Sequence, residues 1–186
     1  MTKTFKSLIG NHKGNLKIAE QTFSDEIIST KILHSCAFIK LIFFNCSFHK
    51  VNFDGSSFAK CEFNGCTFSE SILKRVEFES CRFHNCKITD SNLEKVDFDD
   101  TSLNYCQFKK ISLLAGYFLD CKIIESDFEE INSYDACAII VDSQISKFNR
   151  SINLKGEFSF DDLLKFLKSI PASQAIKIFK ENNNGF

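Results

Sequence analysis

Large hydrophobic residues return at every fifth position along most of the chain. Between Phe23 and Phe128 each member of this series is Phe, Leu or Ile, without exception. An α-helix repeats every 3.6 residues and a β-strand every two, so neither element alone produces a five-residue period. A fixed short period predicts a solenoid in which every repeat contributes one large inward side chain.

A second inward position accompanies each large apolar residue. The residue two places earlier is usually small or aliphatic, as at Cys36, Val51 and Ser56, whereas the other three positions are mostly polar. Two inward positions separated by one residue suit a chain that turns a corner in every repeat. Eight of the nine cysteines occupy the small position. We therefore expect them to pack as small hydrophobes rather than bind zinc.

The repeats resemble those of the pentapeptide-repeat family, whose pattern is loosely A-(D/N)-(L/F)-X-X. The match is carried by segments such as CEFNG at 61–65, SNLEK at 91–95 and VDFDD at 96–100. The resemblance implies an all-β solenoid, namely a right-handed quadrilateral parallel β-helix with four repeats per coil. Residues 20 apart then stack about 4.8 Å from one another. One such column is an aromatic core ladder of Phe38, Phe58, Phe78, Phe98 and Phe118.

The period divides the chain into four parts. Residues 1–20 lack a clean period and are predicted to cap the first coil, and residues 21–130 form the regular β-helix. Residues 131–158 are predicted to form an irregular last coil. Residues 159–186 change to helical spacing and predict short α-helices, interrupted near Pro171.

The C-terminal part carries a second resemblance. Residues 170–180 are similar to the terminal helix of the quinolone-resistance (Qnr) and microcin-immunity subgroup, in which that helix forms a two-fold dimer interface. The resemblance implies a homodimer through this part of the chain. The candidate interface residues are Leu163, Leu164, Leu167, Ile176 and Phe179.

Charge is more informative by region than in total. The net charge of −1 implies no bulk attraction to nucleic acid, so we expect no direct nucleic-acid binding. Residues 90–135, in contrast, carry eleven acidic against four basic side chains. On a 20-residue coil, six carboxylates gather on the side of the aromatic ladder, and we call this set the acidic face: Glu77, Glu79, Asp97, Asp99, Asp100 and Asp120. It is either a solvated surface or a surface for a basic partner.

The sequence contains no recognisable catalytic set. His34, His49 and His84 each follow a central residue and are expected on the outer surface, and no glycine-rich phosphate loop occurs. We therefore expect neither an enzyme nor a bound metal or cofactor. No apolar run is long enough to span a bilayer and no secretory signal is evident, so a cytoplasmic protein without membrane association is expected.

The resemblance makes the function more concrete. It implies a non-enzymatic rod that mimics duplex DNA and binds a type II topoisomerase such as DNA gyrase. The alternative is a generic protein-binding scaffold or regulatory protein with no topoisomerase role. Exposure of Phe44, Leu114, Leu119 and Ile124 would favour a hydrophobic protein contact over DNA mimicry.

Overall fold

Strands 20 residues apart pair in parallel and wind the chain into a solenoid. A computed structural model of the protein describes residues 4–132 and the backbone of Cys137–Asn149. The strands join one 17-stranded sheet in which Phe38 lies opposite Phe58, and Phe78 lies opposite Phe98. The chain is therefore a parallel β-solenoid of about six turns, and the fold class predicted from the period is confirmed.

The described elements are one helix and seventeen strands, most of them three residues long. In chain order they are α1 (Phe5–Ile9), β1 (Lys17–Ala19), β2 (Thr22–Ser24), β3 (Ile27–Ser29), β4 (Ala37–Ile39), β5 (Ile42–Phe44), β6 (Ser47–His49), β7 (Ser57–Ala59), β8 (Glu62–Asn64), β9 (Thr67–Ser69), β10 (Glu77–Glu79), β11 (Arg82–His84), β12 (Lys87–Thr89), β13 (Asp97–Asp99), β14 (Ser102–Asn104), β15 (Gln107–Lys109), β16 (Tyr117–Glu129) and β17 (Cys137–Asn149).

Each coil has four sides, which we number in chain order. The first face consists of β1, β4, β7, β10 and β13, and the second and third faces consist of the strands that follow each of these. The fourth face has hydrogen-bonded turns and isolated bridges in place of strands, as between Asn52 and Ile72. Strand β16 runs over three faces because it pairs in turn with β13, β14 and β15.

The interior is a closely packed column of aromatic and aliphatic side chains. The rings of Phe38 and Phe58 stack with centroids 4.7 Å apart, and those of Phe98 and Phe118 are 4.9 Å apart. All five members of the predicted ladder are at most 2 % exposed. Burying such a side chain contributes roughly 1.5–3 kcal/mol, so the ladder is a major source of stability.

Every corner places one residue in the left-handed backbone region. The last residue of each repeat has φ between 45° and 64°, from Asn15 to Glu130, and only Gly55 and Gly65 in this series are glycines. For other residues this conformation costs about 1–2 kcal/mol. The corner N–H compensates by donating to the next coil, as from Lys40 to the carbonyl of Ala59 at 2.8 Å.

Helix α1 covers the first coil. Its Phe5 ring packs edge-on against Phe23 and Phe43, each with centroids 5.2 Å away. The carboxylate of Glu26 accepts hydrogen bonds from the N–H groups of Phe5, at 2.7 Å, and Lys6, at 3.0 Å. The apolar end of the solenoid is thereby closed. Strand β1, which also lies within residues 1–20, already pairs with β4 as part of the first coil.

The last described strand follows the same winding with interruptions. Strand β17 pairs with β16 in parallel, and the register shifts near Cys121 and Ser126. The predicted helices at 159–186, and the part of the predicted last coil beyond 150, lie outside the described residues.

Candidate protein-binding face

The six carboxylates of the acidic face lie on one side of the solenoid, the first face, and on the corner that follows it. Glu77 and Glu79 flank the buried Phe78 on β10, and Asp97 and Asp99 flank Phe98 on the neighbouring β13. The strand register sets Glu77 opposite Asp97, and Glu79 opposite Asp99. Alternation along each strand therefore turns these four side chains outward as two adjacent rows.

Two further carboxylates extend this surface around the corner. Asp100 and Asp120 occupy consecutive corner positions, with φ of 47° and 51°. The hydroxyl of Ser80 donates to Asp100 Oδ2 at 2.9 Å. These groups line a cleft of about 280 Å³ together with Arg82 and Lys122. The corner is thus of mixed charge, whereas the flat part of the face is purely acidic.

Six carboxylates outside the acidic face pair with a Lys or Arg on a neighbouring coil. The ion pairs are Lys40–Glu20, Lys50–Glu70, Lys74–Glu94, Arg75–Asp54, Arg82–Glu62 and Lys109–Glu129, with N–O distances of 2.7–3.3 Å. None of the ion pairs formed between described residues includes a member of the acidic face. The flat part of the acidic face, on β10 and β13, therefore stands apart as a cluster without an ion pair among the described residues.

Asp97 is the most enclosed member of the cluster. Its Oδ1 is shielded from solvent and accepts no hydrogen bond within the described part of the chain. Burial raises the pKa of this carboxyl, and the nearby charges of Asp99 and Glu77 raise it further. A cleft of about 150 Å³ lies beside it, lined by Glu77, Phe78, Glu79 and Asp99. Burial and the neighbouring charges consequently disfavour the ionised form of Asp97.

The cysteines line the interior and satisfy backbone groups there. The Cys81 thiol donates to the carbonyl of Phe58 at 3.2 Å, and the N–H of Cys61 donates to Cys81 Sγ at 3.4 Å. Thr101 continues this column, since its hydroxyl donates to Phe78 O at 3.0 Å and accepts from the Cys81 N–H at 3.1 Å. At Cys81 and Thr101 the small position thus supplies hydrogen bonds as well as a small volume, which a pattern of sizes does not reveal. The same position supplies apolar volume alone at Val51, Val76 and Val96.

These thiols are enclosed in the core of the solenoid. All eight cysteines among the described residues are buried and unbridged. Burial raises the pKa of Cys121 to about 12, so its thiol stays protonated. Within residues 4–132 no group of three or more His, Cys, Asp or Glu side chains is arranged to hold a metal ion.

The four hydrophobic residues singled out from the sequence lie on three different faces. Phe44 is 42 % exposed, whereas Leu114, Leu119 and Ile124 are half-buried. Phe44 and Ile124 lie on the second face, Leu119 on the first and Leu114 on the fourth. These four residues therefore form no continuous apolar patch.

Two further expectations concern the termini and the membrane. The candidate dimer interface at Leu163, Leu164, Leu167, Ile176 and Phe179 lies outside the described residues and stays a prediction. In the described part of the chain, no helix has the length and apolar character needed to cross a bilayer.

Fold and surface together define the class, a parallel β-solenoid of five-residue repeats that presents a charged flat side. Residues 31–108 match the family model of the pentapeptide repeat region. The chain therefore carries a pentapeptide-repeat region, and the resemblance noted from its repeats is confirmed. No curated protein matches the chain in sequence.

Solved structures that resemble this chain include pentapeptide-repeat proteins. HetL, involved in heterocyst differentiation regulation in the cyanobacterium Nostoc sp. strain PCC 7120, is 12 % identical, with a TM-score of 0.53 over 70 % of this chain and 66 % of HetL. A pentapeptide repeat protein of the Arabidopsis thaliana thylakoid lumen is 18 % identical, with a TM-score of 0.44 over 54 % of this chain and 67 % of that one. Trypsin-treated QnrB1, a plasmid-mediated fluoroquinolone resistance protein, is 19 % identical, with a TM-score of 0.37 over 66 % of this chain and 73 % of that one. The likeness to HetL concerns the fold alone.

Proposed function

We propose that this protein is a non-enzymatic, cytoplasmic interaction rod that binds a basic protein surface through its acidic face. The observation that carries the proposal is the contrast in charge pairing. Six carboxylates outside the acidic face pair with a Lys or Arg of an adjacent coil, as Glu62 does with Arg82, whereas those on β10 and β13 face one another without an ion pair among the described residues. Complementary charge on a partner would relieve this repulsion and speed association.

The density of charge supports a partner that normally binds DNA. Duplex DNA carries one negative charge per about 1.7 Å of its axis. Five carboxylates, at Glu77, Glu79, Asp97, Asp99 and Asp100, occupy two coils, which span roughly 10 Å. The two linear densities are similar. Together with the family resemblance, this favours the DNA-binding surface of a type II topoisomerase, with DNA gyrase as the partner to test.

The decisive experiment is a gyrase supercoiling assay with the purified full-length protein. We expect inhibition of supercoiling, or relief of quinolone poisoning, at micromolar protein. The variant Glu79→Gln/Asp99→Asn/Asp100→Asn should weaken the effect about tenfold or more, because it removes three of the unpaired charges.

A matched control removes three carboxylates elsewhere. Asp90→Asn/Glu125→Gln/Glu130→Gln changes net charge equally, at positions on other corners of the solenoid. We expect this control to act like the wild type. Equal losses in both variants would show a dependence on net charge alone and contradict a specific face. No effect of the wild type would make the topoisomerase proposal wrong, and the scaffold alternative would then stand.

We also propose, from the family resemblance alone, that the C-terminal segment forms a homodimer. Light scattering on the full chain and on a chain truncated after Phe158 tests this. A dimer mass that halves on truncation supports the interface. A mass per chain that is unchanged by truncation would contradict it.

A further inference from the structure

Asp97 lies at the centre of like charge on the acidic face. Glu77 lies directly opposite it on β10, and Asp99 is the next outward residue on its own strand. On the other side, Tyr117 of β16 lies opposite Asp97 and supplies no cation. The Oδ1 atom of Asp97 is enclosed and accepts no hydrogen bond from residues 4–132.

Nearby bases do not neutralise this carboxylate. Arg75 is the corner residue that precedes β10, and it makes a two-bond ion pair with Asp54, with distances of 3.0 and 2.7 Å. Lys95 is the corner residue that precedes Asp97 and forms no ion pair with it. Burial and the charges of Asp99 and Glu77 therefore act on Asp97 without compensation from described cations.

We propose that the acidic face is a proton-sensitive contact surface, in which proton uptake by the enclosed Asp97 on acidification weakens binding of a basic partner. This inference rests on the proposed function and adds its regulation. A neutral Asp97 removes charge from the centre of the face, and its enclosed oxygen no longer attracts a cation. The surrounding carboxylates, at Glu77, Glu79 and Asp99, are exposed, whereas Asp97 is partly enclosed.

The sign of the effect differs between stability and binding. Because the pKa of Asp97 is raised by folding, the folded rod binds this proton more tightly than the unfolded chain does. Ionised Asp97 therefore destabilises the rod at neutral pH, and lowering the pH through its pKa removes that destabilisation. A cationic partner instead favours the ionised form. Acidification should therefore remove the destabilisation caused by Asp97. It should at the same time lower the affinity of the rod for a cationic partner.

The test compares wild type with Asp97→Asn, a permanent analogue of the protonated side chain. Urea unfolding of the full chain is measured from neutral pH down to about pH 5, roughly one unit above the ordinary pKa of an aspartate. We expect Asp97→Asn to unfold at a higher urea concentration than wild type at neutral pH, and the difference to shrink as the pH falls. Asp90→Asn, an exposed corner substitution, should leave the pH dependence unchanged.

Binding is measured with a decalysine peptide, whose charge is constant over this range. We expect acidification to weaken wild-type binding about three- to tenfold more than it weakens binding by Asp97→Asn. Identical pH dependence of the two proteins in both measurements would overturn the inference. If the pH difference is present but gyrase is unaffected, the inference holds for basic surfaces and the topoisomerase proposal alone fails.

Discussion

The two halves of the first face share one backbone and differ in their exteriors. On β4 and β7 the outward residues are Ala37, Ile39, Ser57 and Ala59, whereas on β10 and β13 they are all Glu or Asp. Behind both halves the Phe ladder continues with similar spacing, 4.7 Å between Phe38 and Phe58 and 5.0 Å between Phe78 and Phe98. The core and the register do not require the acidic residues.

The difference shows that the acidic half carries a cost that the neutral half avoids. Like charges opposite one another on adjacent strands destabilise a sheet. The neutral half reaches the same fold with uncharged residues, and some charges on other faces pair across coils, as Arg82 does with Glu62 at 2.9 Å. The fold alone therefore gives no reason for the acidic half, which favours a role in binding.

The largest effect on stability should come from substitutions in the Phe ladder that the two halves share. We expect Phe58→Ala and Phe98→Ala each to lower the free energy of unfolding by about 3–5 kcal/mol, because each removes a fully buried ring and leaves a cavity. Chemical unfolding followed by circular dichroism measures both. Costs that agree within about 1 kcal/mol would support one continuous core.

The matched control for this pair is Phe44→Ala, which removes a ring that is 42 % exposed. Its cost should be well below that of the two core substitutions, because little cavity forms at the surface. A Phe98→Ala cost as small as that of Phe44→Ala would contradict a shared core.

The next effect concerns the hydrogen bonds that join two neighbouring coils of the acidic half inside the corner. Thr101→Val keeps the side-chain volume but removes the hydroxyl that serves the Phe78 carbonyl and the Cys81 N–H. We expect a loss of about 1–3 kcal/mol in unfolding free energy, because two buried backbone groups lose their partner. Thr101→Ser keeps the hydroxyl and serves as the control. Equal costs for Val and Ser would show that packing, and not hydrogen bonding, sets the requirement.

The sequence predicted the fold because its repeat is local and strict. The large residue of every repeat, such as Phe63, is apolar and turns inward, so the five-residue period alone indicates the coil and the core. The left-handed corners were not predicted, because residues such as Lys60 and Tyr105 occupy them and carry no signal of positive φ. The hydrogen bonds that Cys81 and Thr101 make from the small position were not predicted either, since Cys, Thr and Val have similar sizes.

The acidic face was predicted in outline and not in its details. Stacking residues 20 apart places the carboxylates of Glu77 and Asp97 on one face, and the sequence alone is sufficient for this prediction. The absence of ion pairs within the described face, and the enclosed Oδ1 of Asp97, depend on where side chains of neighbouring coils lie. A linear pattern contains no information on those positions.

A smaller effect should follow from transferring charge between the halves. Ala59 lies opposite Glu79 in the register, so Ala59→Glu extends the acidic rows into the neutral half. We expect a loss of about 0.2–1 kcal/mol in unfolding free energy at low salt, because a new pair of like charges faces one another. Ala59→Gln, of the same shape, is the control. High salt should abolish the difference between Glu and Gln, and a difference that persists would exclude charge as its cause.

The smallest effect concerns the corner that both halves share. Lys60 and Asp100 occupy equivalent corner positions with φ of 56° and 47°, and their N–H groups donate to Glu79 and Leu119. Glycine removes a left-handed strain of about 1–2 kcal/mol but adds about 0.5–1 kcal/mol of chain entropy to the unfolded state. Lys60→Gly should therefore raise the free energy of unfolding by about 0.5 kcal/mol.

Asp100→Gly should bring no such gain. Aspartate tolerates the left-handed region better than lysine does, and the substitution also removes the hydrogen bond from Ser80. Both variants are compared with wild type by urea unfolding in high salt, where the repulsion on the acidic face is screened. A gain at residue 100 equal to that at residue 60 would show that backbone strain alone governs the corner. A gain at residue 60 alone would show that the side chain of Asp100 helps to hold the corner beneath the acidic face.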